Sequence, residues 1–140
     1  MKKNGGGVIL NNASFAGLMP QAGKGCYAAS KSGMITLTRA LAGELAPFGI
    51  RVAAIVPGPT VTRMTEENYK KNLDKVVESL AVQRVGAAEE IAKFAVFMAS
   101  DAASFFTGGH IEITGGKYCI QDPATPWNYY AKELAEQSKK

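Results

Sequence analysis

The sequence predicts an α/β fold, half of a doubly wound parallel sheet with about three parallel strands and flanking helices. Three observations predict it. Val8-Ile9-Leu10 and residues 50–56 are short apolar runs bounded by turn residues. Between them lies one long stretch whose apolar positions recur at three and four, as an amphipathic helix requires. A third apolar run, Ile111-Glu112-Ile113, follows a second helical stretch. Strand, helix and strand in that order form a crossover unit, so the strands are parallel and the connection right-handed.

Each element has its own signal. Val8-Ile9-Leu10 leaves three glycines and stops at Asn11-Asn12, too short for a helix. Residues 13–25 are rich in Ala, Gly and Ser and read as a loop. From residue 26 to about 46, Tyr27, Lys31, Met34, Ile35, Thr38, Leu41 and Leu45 share one helical face, and Pro47 and Gly49 end it. Pro57-Gly58-Pro59 stops the second strand. Residues 60–83 are polar and read as a loop with one or two mobile helices around 66–81. A helix from Ala88 to about Ser100 carries Glu89-Glu90 in its first turn, where the helix dipole favours acid. Gly108-Gly109 and Gly115-Gly116 bracket the third strand. The resulting division is residues 1–116 as a partial α/β domain and 117–140 as a tail, in which Trp127, Tyr130, Ala131 and Leu134 predict a short helix.

Composition narrows the function. The chain has 140 residues, 46% hydrophobic and 20% charged, as a globular domain has. Much of its net charge of +4 sits in Lys2-Lys3 and Lys139-Lys140. No basic block interleaved with aromatics appears, which argues against nucleic acid, and no apolar run is long enough to span a membrane. Cys26 and Cys119 form no CxxC pair, which argues against a zinc site or a disulfide scaffold. No signal-peptide core follows the basic start, so the expected compartment is the cytoplasm.

The chemistry concentrates on one helix face. Tyr27 and Lys31 stand at i and i+4, roughly 5–6 Å apart at Cβ. A free phenol titrates near a pKa of about 10, and a neighbouring cation favours the phenolate. Ser14, in the loop after the first strand, can hydrogen-bond the same oxygen that the phenol protonates. The alternative is a surface pair on an amphipathic helix, since a lone YxxxK is common by chance.

Ser14-Phe15-Ala16-Gly17, thirteen residues before Tyr27, and Tyr27-Ala28-Ala29-Ser30-Lys31 resemble the active-site segment of the short-chain dehydrogenase/reductase family. Gly49-Ile50-Arg51-Val52, Pro57-Gly58-Pro59-Thr60-Val61-Thr62, Arg84-Val85-Gly86, Glu89-Glu90-Ile91-Ala92 and Thr107-Gly108-Gly109 resemble its later landmarks in order. The resemblance implies the C-terminal, catalytic half of a Rossmann sheet. It implies an NAD- or NADP-dependent oxidoreductase interconverting a secondary alcohol and a ketone. Ser14 matches the residue that steadies the substrate oxygen, Tyr27 the acid–base, and Lys31 the residue that tunes the phenol and holds the nicotinamide ribose. Pro57 and Gly58 match the turn beneath the nicotinamide, Thr60 the backbone that meets its carboxamide, and Thr62 the hydroxyl near the pyrophosphate. Residues 60 to about 81 resemble the mobile substrate lid.

Several features of the family pattern are absent. No glycine-rich GxxxGxG turn, no residue choosing NAD from NADP and no upstream relay asparagine occurs in these residues. Met1 therefore reads as an internal methionine of a longer parent, cofactor affinity is expected to be weak or absent, and a non-catalytic assembly role is the alternative function. An unpaired edge at Val8-Ile9-Leu10 predicts association into a homo-oligomer. His110 reads as structural, Cys26 as a small packed residue at the helix start, and Met34 and Met98 as core. Trp127, Tyr130 and Leu134 read as covering this chain's own apolar surface or, alternatively, as crossing to a neighbouring subunit.

Overall fold

The computed structural model describes residues 1–137. In chain order it contains β1 (Gly7–Asn12), α1 (Gly25–Leu45), β2 (Ile50–Pro57), β3 (Thr60–Val61), α2 (Glu66–Val77), β4 (Gly86–Ala87), α3 (Ala88–Ala99), β5 (His110–Ile113), α4 (Thr125–Tyr129) and α5 (Ala131–Gln137). These fall into two compact units, Met1–Gly58 with Ala88–Ile113, and Pro59–Ala87 with Thr114–Lys140.

The first unit is the doubly wound one. Its strands are all parallel, in the order β1-β2-β5. The central strand β2 is buried from Val52 to Val56, as a parallel strand covered on both faces must be. Its side chains alternate. Ile50, Val52, Ala54 and Val56 pack with Ile35 and Ala42 of α1. Ala53 packs with Met98 of α3 and with Ala103, joined by Leu10, Phe106 and Ile111. One helix on each face of the sheet follows from that period of two. Gly6 lets the first two strands start side by side, because a Cβ there would lie 2.3 Å from the Gly49 carbonyl oxygen.

Two side chains fasten the helices to this sheet. Asn11 Nδ2 donates to Thr38 Oγ1 at 2.9 Å, and Thr38 Oγ1 donates to the Met34 carbonyl at 2.8 Å, which joins β1 to α1. The Arg51 guanidinium donates to the carbonyls of Met98 and Ser100, both at 3.0 Å, and of Phe106 at 3.2 Å. It thereby satisfies acceptors at the C-terminus of α3 that the helix itself leaves open.

The second unit is built on two short pairings. β3 lies parallel to β4, with Thr60 opposite Gly86. Leu80 bridges Lys117 in antiparallel fashion, and the Tyr118 amide donates to the Ser79 carbonyl at 3.0 Å. Lys117 Nζ donates to Ser79 Oγ at 2.8 Å, and burial pulls its pKa below the ordinary lysine value. Trp127 Nε1 donates to the Ala81 carbonyl at 2.7 Å, so the indole is used within this chain.

The differences from the sequence reading are local. β1 extends to Gly7 and Asn12, because its register with β2 continues through both. The loop after it contains a 3-10 turn, Phe15–Gly17. Helix α2 is broken at Asn72 (φ −134°), which accounts for a pattern that read as one or two helices. The tail forms two short helices where one was expected. Cys26 is exposed at the start of α1, a correction to the packed position expected for it.

Candidate active site

The carboxyl ends of the parallel strands are where open α/β sheets bind ligands. Asn12 closes β1, and Ser14 follows two residues later. The Ser14 hydroxyl accepts from the Ala16 amide at 3.2 Å and so caps the Phe15–Gly17 turn. That contact uses the oxygen and leaves the O–H proton available to donate outward.

The turn is pressed onto α1. A Cβ on Gly17 would lie 2.8 Å from the Lys31 carbonyl carbon, and Ser32 Oγ donates to the Gly17 carbonyl at 2.5 Å. Ser14 is therefore held against the helix that carries the other two residues. Tyr27, in the first turn of α1, is 47% exposed, so its phenol is presented to solvent. Lys31 Nζ lies 5.7 Å from the centroid of that ring and donates to the Asn12 carbonyl at 2.9 Å. One of its three N–H donors is thus committed to the end of β1. No hydrogen bond joins Ser14 to Tyr27 among the described residues.

Pro57 and Gly58 end β2 beside β5. Pro57 is opposite Ile113, and the Gly58 amide donates to the Ile113 carbonyl at 3.0 Å. Ser14, Tyr27, Lys31, Pro57 and Gly58 all belong to the first unit, whereas Thr60 and Thr62 belong to the second. Thr60 stands in β3 and Thr62 in the turn before α2.

Around those two threonines the structure shows residues that the sequence reading missed. Thr65 Oγ1 donates to the Thr60 carbonyl at 2.8 Å and accepts from the Thr62 amide at 2.9 Å. The Tyr69 hydroxyl is hydrogen-bonded to the Thr60 backbone and to the Thr65 side chain, while burial raises its pKa. The only sequence signal was a threonine ahead of Glu66-Glu67, which looks like a helix cap.

Other candidates stay outside the chemistry. His110 Nε2 lies 4.0 Å from Glu112 Oε1, and Met98 is core. Among the described residues no group of three or more His, Cys, Asp or Glu could hold a metal, and no helix is long and apolar enough to cross a membrane.

A family model described as enoyl-(acyl carrier protein) reductase matches residues 1–117. The chain is 39% identical over 112 residues to a (3R)-3-hydroxyacyl-CoA dehydrogenase of Canis lupus familiaris, covering 80% of this chain and 43% of that protein. The solved structure of a short-chain dehydrogenase/reductase from Brucella melitensis superposes with a TM-score of 0.76 at 39% identity, over 79% of this chain and 45% of that one. The chain belongs to the short-chain dehydrogenase/reductase family. A further member, a 7α-hydroxysteroid dehydrogenase complexed with NADH and a 7-oxo bile acid, superposes with a TM-score of 0.79 at 33% identity, covering 84% of this chain and 46% of that one. The chain thus spans about half the length of the relatives it matches.

The donor set suits a nicotinamide nucleotide. Lys31 keeps N–H donors that its bond to the Asn12 carbonyl does not use, and an exposed phenol stands one helical turn away.

Proposed function

We propose that this chain supplies the proton-transfer half of an NAD- or NADP-dependent oxidoreductase that interconverts a secondary alcohol and a ketone. The observation that carries the reading is the exposed Tyr27 phenol beside the Lys31 ammonium, itself anchored to the end of β1. When bound, the nicotinamide supplies or accepts hydride. Ser14 donates its O–H to the substrate oxygen and holds it within reach of the phenol. Tyr27 gives its proton to that oxygen during reduction and takes it back during oxidation. Lys31, held at the end of β1 beside the Tyr27 ring, binds the ribose with its remaining donors. By the family resemblance, Pro57 and Gly58 are the residues that would hold the nicotinamide, and Thr60 and Thr62 those that would meet its carboxamide and pyrophosphate.

The relatives point to 3-hydroxyacyl thioesters and their 3-oxo counterparts as the first substrates to assay. Oxidation of reduced cofactor with a 3-oxoacyl thioester, read at 340 nm as a ~10²–10⁴-fold loss in Tyr27→Phe, tests the role of the phenol. Activity that persists in that variant sinks the mechanism.

Association into a homo-oligomer is part of the proposal. Phe94, Val96 and Phe97 of α3 and Phe105 after it are exposed, with Phe105 wholly so. A clean monomer in sedimentation at micromolar concentration counts against it.

A further inference from the structure

Thr65 occupies the N-cap position of α2, the place where a threonine ordinarily accepts a hydrogen bond from its own helix. It makes no such bond. Its hydroxyl turns back instead, donating to the Thr60 carbonyl at 2.8 Å and accepting from the Thr62 amide at 2.9 Å, with Thr62 Oγ1 at 3.1 Å. A hydroxyl offers one proton and two lone pairs, so these contacts use most of its capacity. The Tyr69 hydroxyl, one helical turn further on, bonds the Thr60 backbone and the Thr65 side chain. In addition, β4 pairs with Thr60 and Val61, and the Gly86 amide donates to the Pro59 carbonyl at 2.9 Å. Residues 60–62 are therefore braced by β4 and by two hydroxyls, that of Thr65 at the N-cap of α2 and that of Tyr69 within it.

We propose that Thr65 is a positioning residue for the nicotinamide nucleotide, with Tyr69 as its second brace: together they fix residues 60–62 in the conformation that receives the carboxamide and phosphate. The proposal rests on the reading of Thr60 and Thr62 given above. It explains why a favoured capping residue leaves its own helix uncapped. It also separates Thr65 from a capping role, because Thr65→Val removes no cap bond from α2, only the contact with the Tyr69 hydroxyl and the ties to residues 60–62. What it removes is the tie between Thr62 and Thr60, and with it the shape of the segment facing the ligand. Residues 60–62 would then have to be ordered at the moment of binding, which lowers affinity.

The test uses the full chain and reduced nicotinamide mononucleotide, a probe that needs no adenosine site. Two readouts are taken: amide hydrogen exchange at Thr62, and the dissociation constant from nicotinamide fluorescence. In Thr65→Val, exchange at Thr62 should accelerate about tenfold while that at Gly86 is unchanged, and the dissociation constant should rise about five- to tenfold, the worth of one hydrogen bond. Thr65→Ser, which keeps the hydroxyl, should restore both. Faster exchange with unaltered affinity overturns the positioning role and leaves the cofactor reading standing. Unaltered exchange at Thr62 overturns it as well. If millimolar probe leaves the wild-type resonances of residues 60–62 unmoved, those residues are not cofactor contacts and this inference falls with that reading. Should Thr65→Val not fold, Tyr69→Phe carries the same expectation at about threefold.

Discussion

Gly17 shows how closely the turn after Ser14 is seated. An alanine there would bring its methyl to 2.8 Å from the Lys31 carbonyl carbon, 2.9 Å from the Ser32 amide nitrogen and 3.0 Å from the Lys31 carbonyl oxygen. Favourable carbon contacts lie at about 3.5–4.0 Å, so the shortfall is roughly half an ångström or more against three atoms at once. All three are helix backbone, and no flexible side chain can yield. The Phe15–Gly17 turn must lift, which also strains the bond from Ser32 Oγ to the Gly17 carbonyl. Overpacking of this kind costs about 1–3 kcal/mol and the weakened bond about 1, less about 0.4–1 gained from a stiffer unfolded chain. A net loss of about 1–3 kcal/mol corresponds to a melting point lower by roughly 3–10 °C. Gly33 provides the control, since a Cβ there meets nothing within 4 Å. The same substitution at Gly33, in the interior of α1, should stabilise by about 0.5–1 kcal/mol. Urea and thermal denaturation of both variants decide the matter. Equal stabilities for Gly17→Ala and Gly33→Ala would refute the close seating of Ser14 against α1.

Two further outcomes follow from side chains away from the chemistry. Arg51→Met leaves the carbonyls of Met98, Ser100 and Phe106 without their cation and should cost about 2–3 kcal/mol in urea denaturation; Arg51→Lys should recover only part, because an ammonium lacks the planar fork. Tyr69 governs part of the alkaline limb of stability. Burial raises its pKa above 10.0, so the folded state keeps a proton that the unfolded state loses. That contribution is complete below pH 10.0 and disappears as pH rises through the folded value, so Tyr69→Phe should flatten the decline of the urea midpoint above pH 10. Lys117 works in the opposite sense, since its lowered pKa makes stability rise as pH approaches 10.5 from below. Comparing wild type with Tyr69→Phe cancels the lysine.

Legibility tracked period and punctuation. Helix α1 and strand β2 were readable to within a residue or two because Pro47, Gly49 and Pro57 stop them and their apolar positions repeat cleanly. Asn11 and Asn12 looked like a stop, yet they continue β1. Asn11 reaches Thr38 and the Asn12 carbonyl takes Lys31, contacts made across the helix that no local pattern contains. β3 and β4 were invisible for the same reason: each has two residues and gains meaning only from the other. At the site, Ser14, Tyr27 and Lys31 were legible as a spaced motif. Thr65 and Tyr69 were not, because a threonine before two glutamates carries the same letters whether it caps its helix or ties the preceding turn.

The placement of Tyr27 and Lys31 on α1 has a geometric cause. Tyr27, Lys31, Ile35, Thr38 and Ala42 form a single stripe at helical spacing, and the stripe faces the sheet. The helix runs antiparallel to the strands. Ala42 packs near Ile50 and Val52 at the start of β2, Ile35 near Ala54 and Val56 at its end, and Lys31 reaches Asn12 at the end of β1. Exposure changes along the same line, from 5% at Ala42, 1% at Thr38 and 6% at Ile35 to 47% at Tyr27. The stripe is a core stripe that outruns the sheet. Its inner positions are buried because strand lies beneath them, and its first turn is open because the strands have ended. Tyr27 and Lys31 therefore need no separate device to bring them to the strand ends; the packing of Ile35, Thr38 and Ala42 sets the rotation of the whole helix. A substitution that turns α1 about its axis, even one buried at Ala42, should move the phenol as surely as one placed beside it.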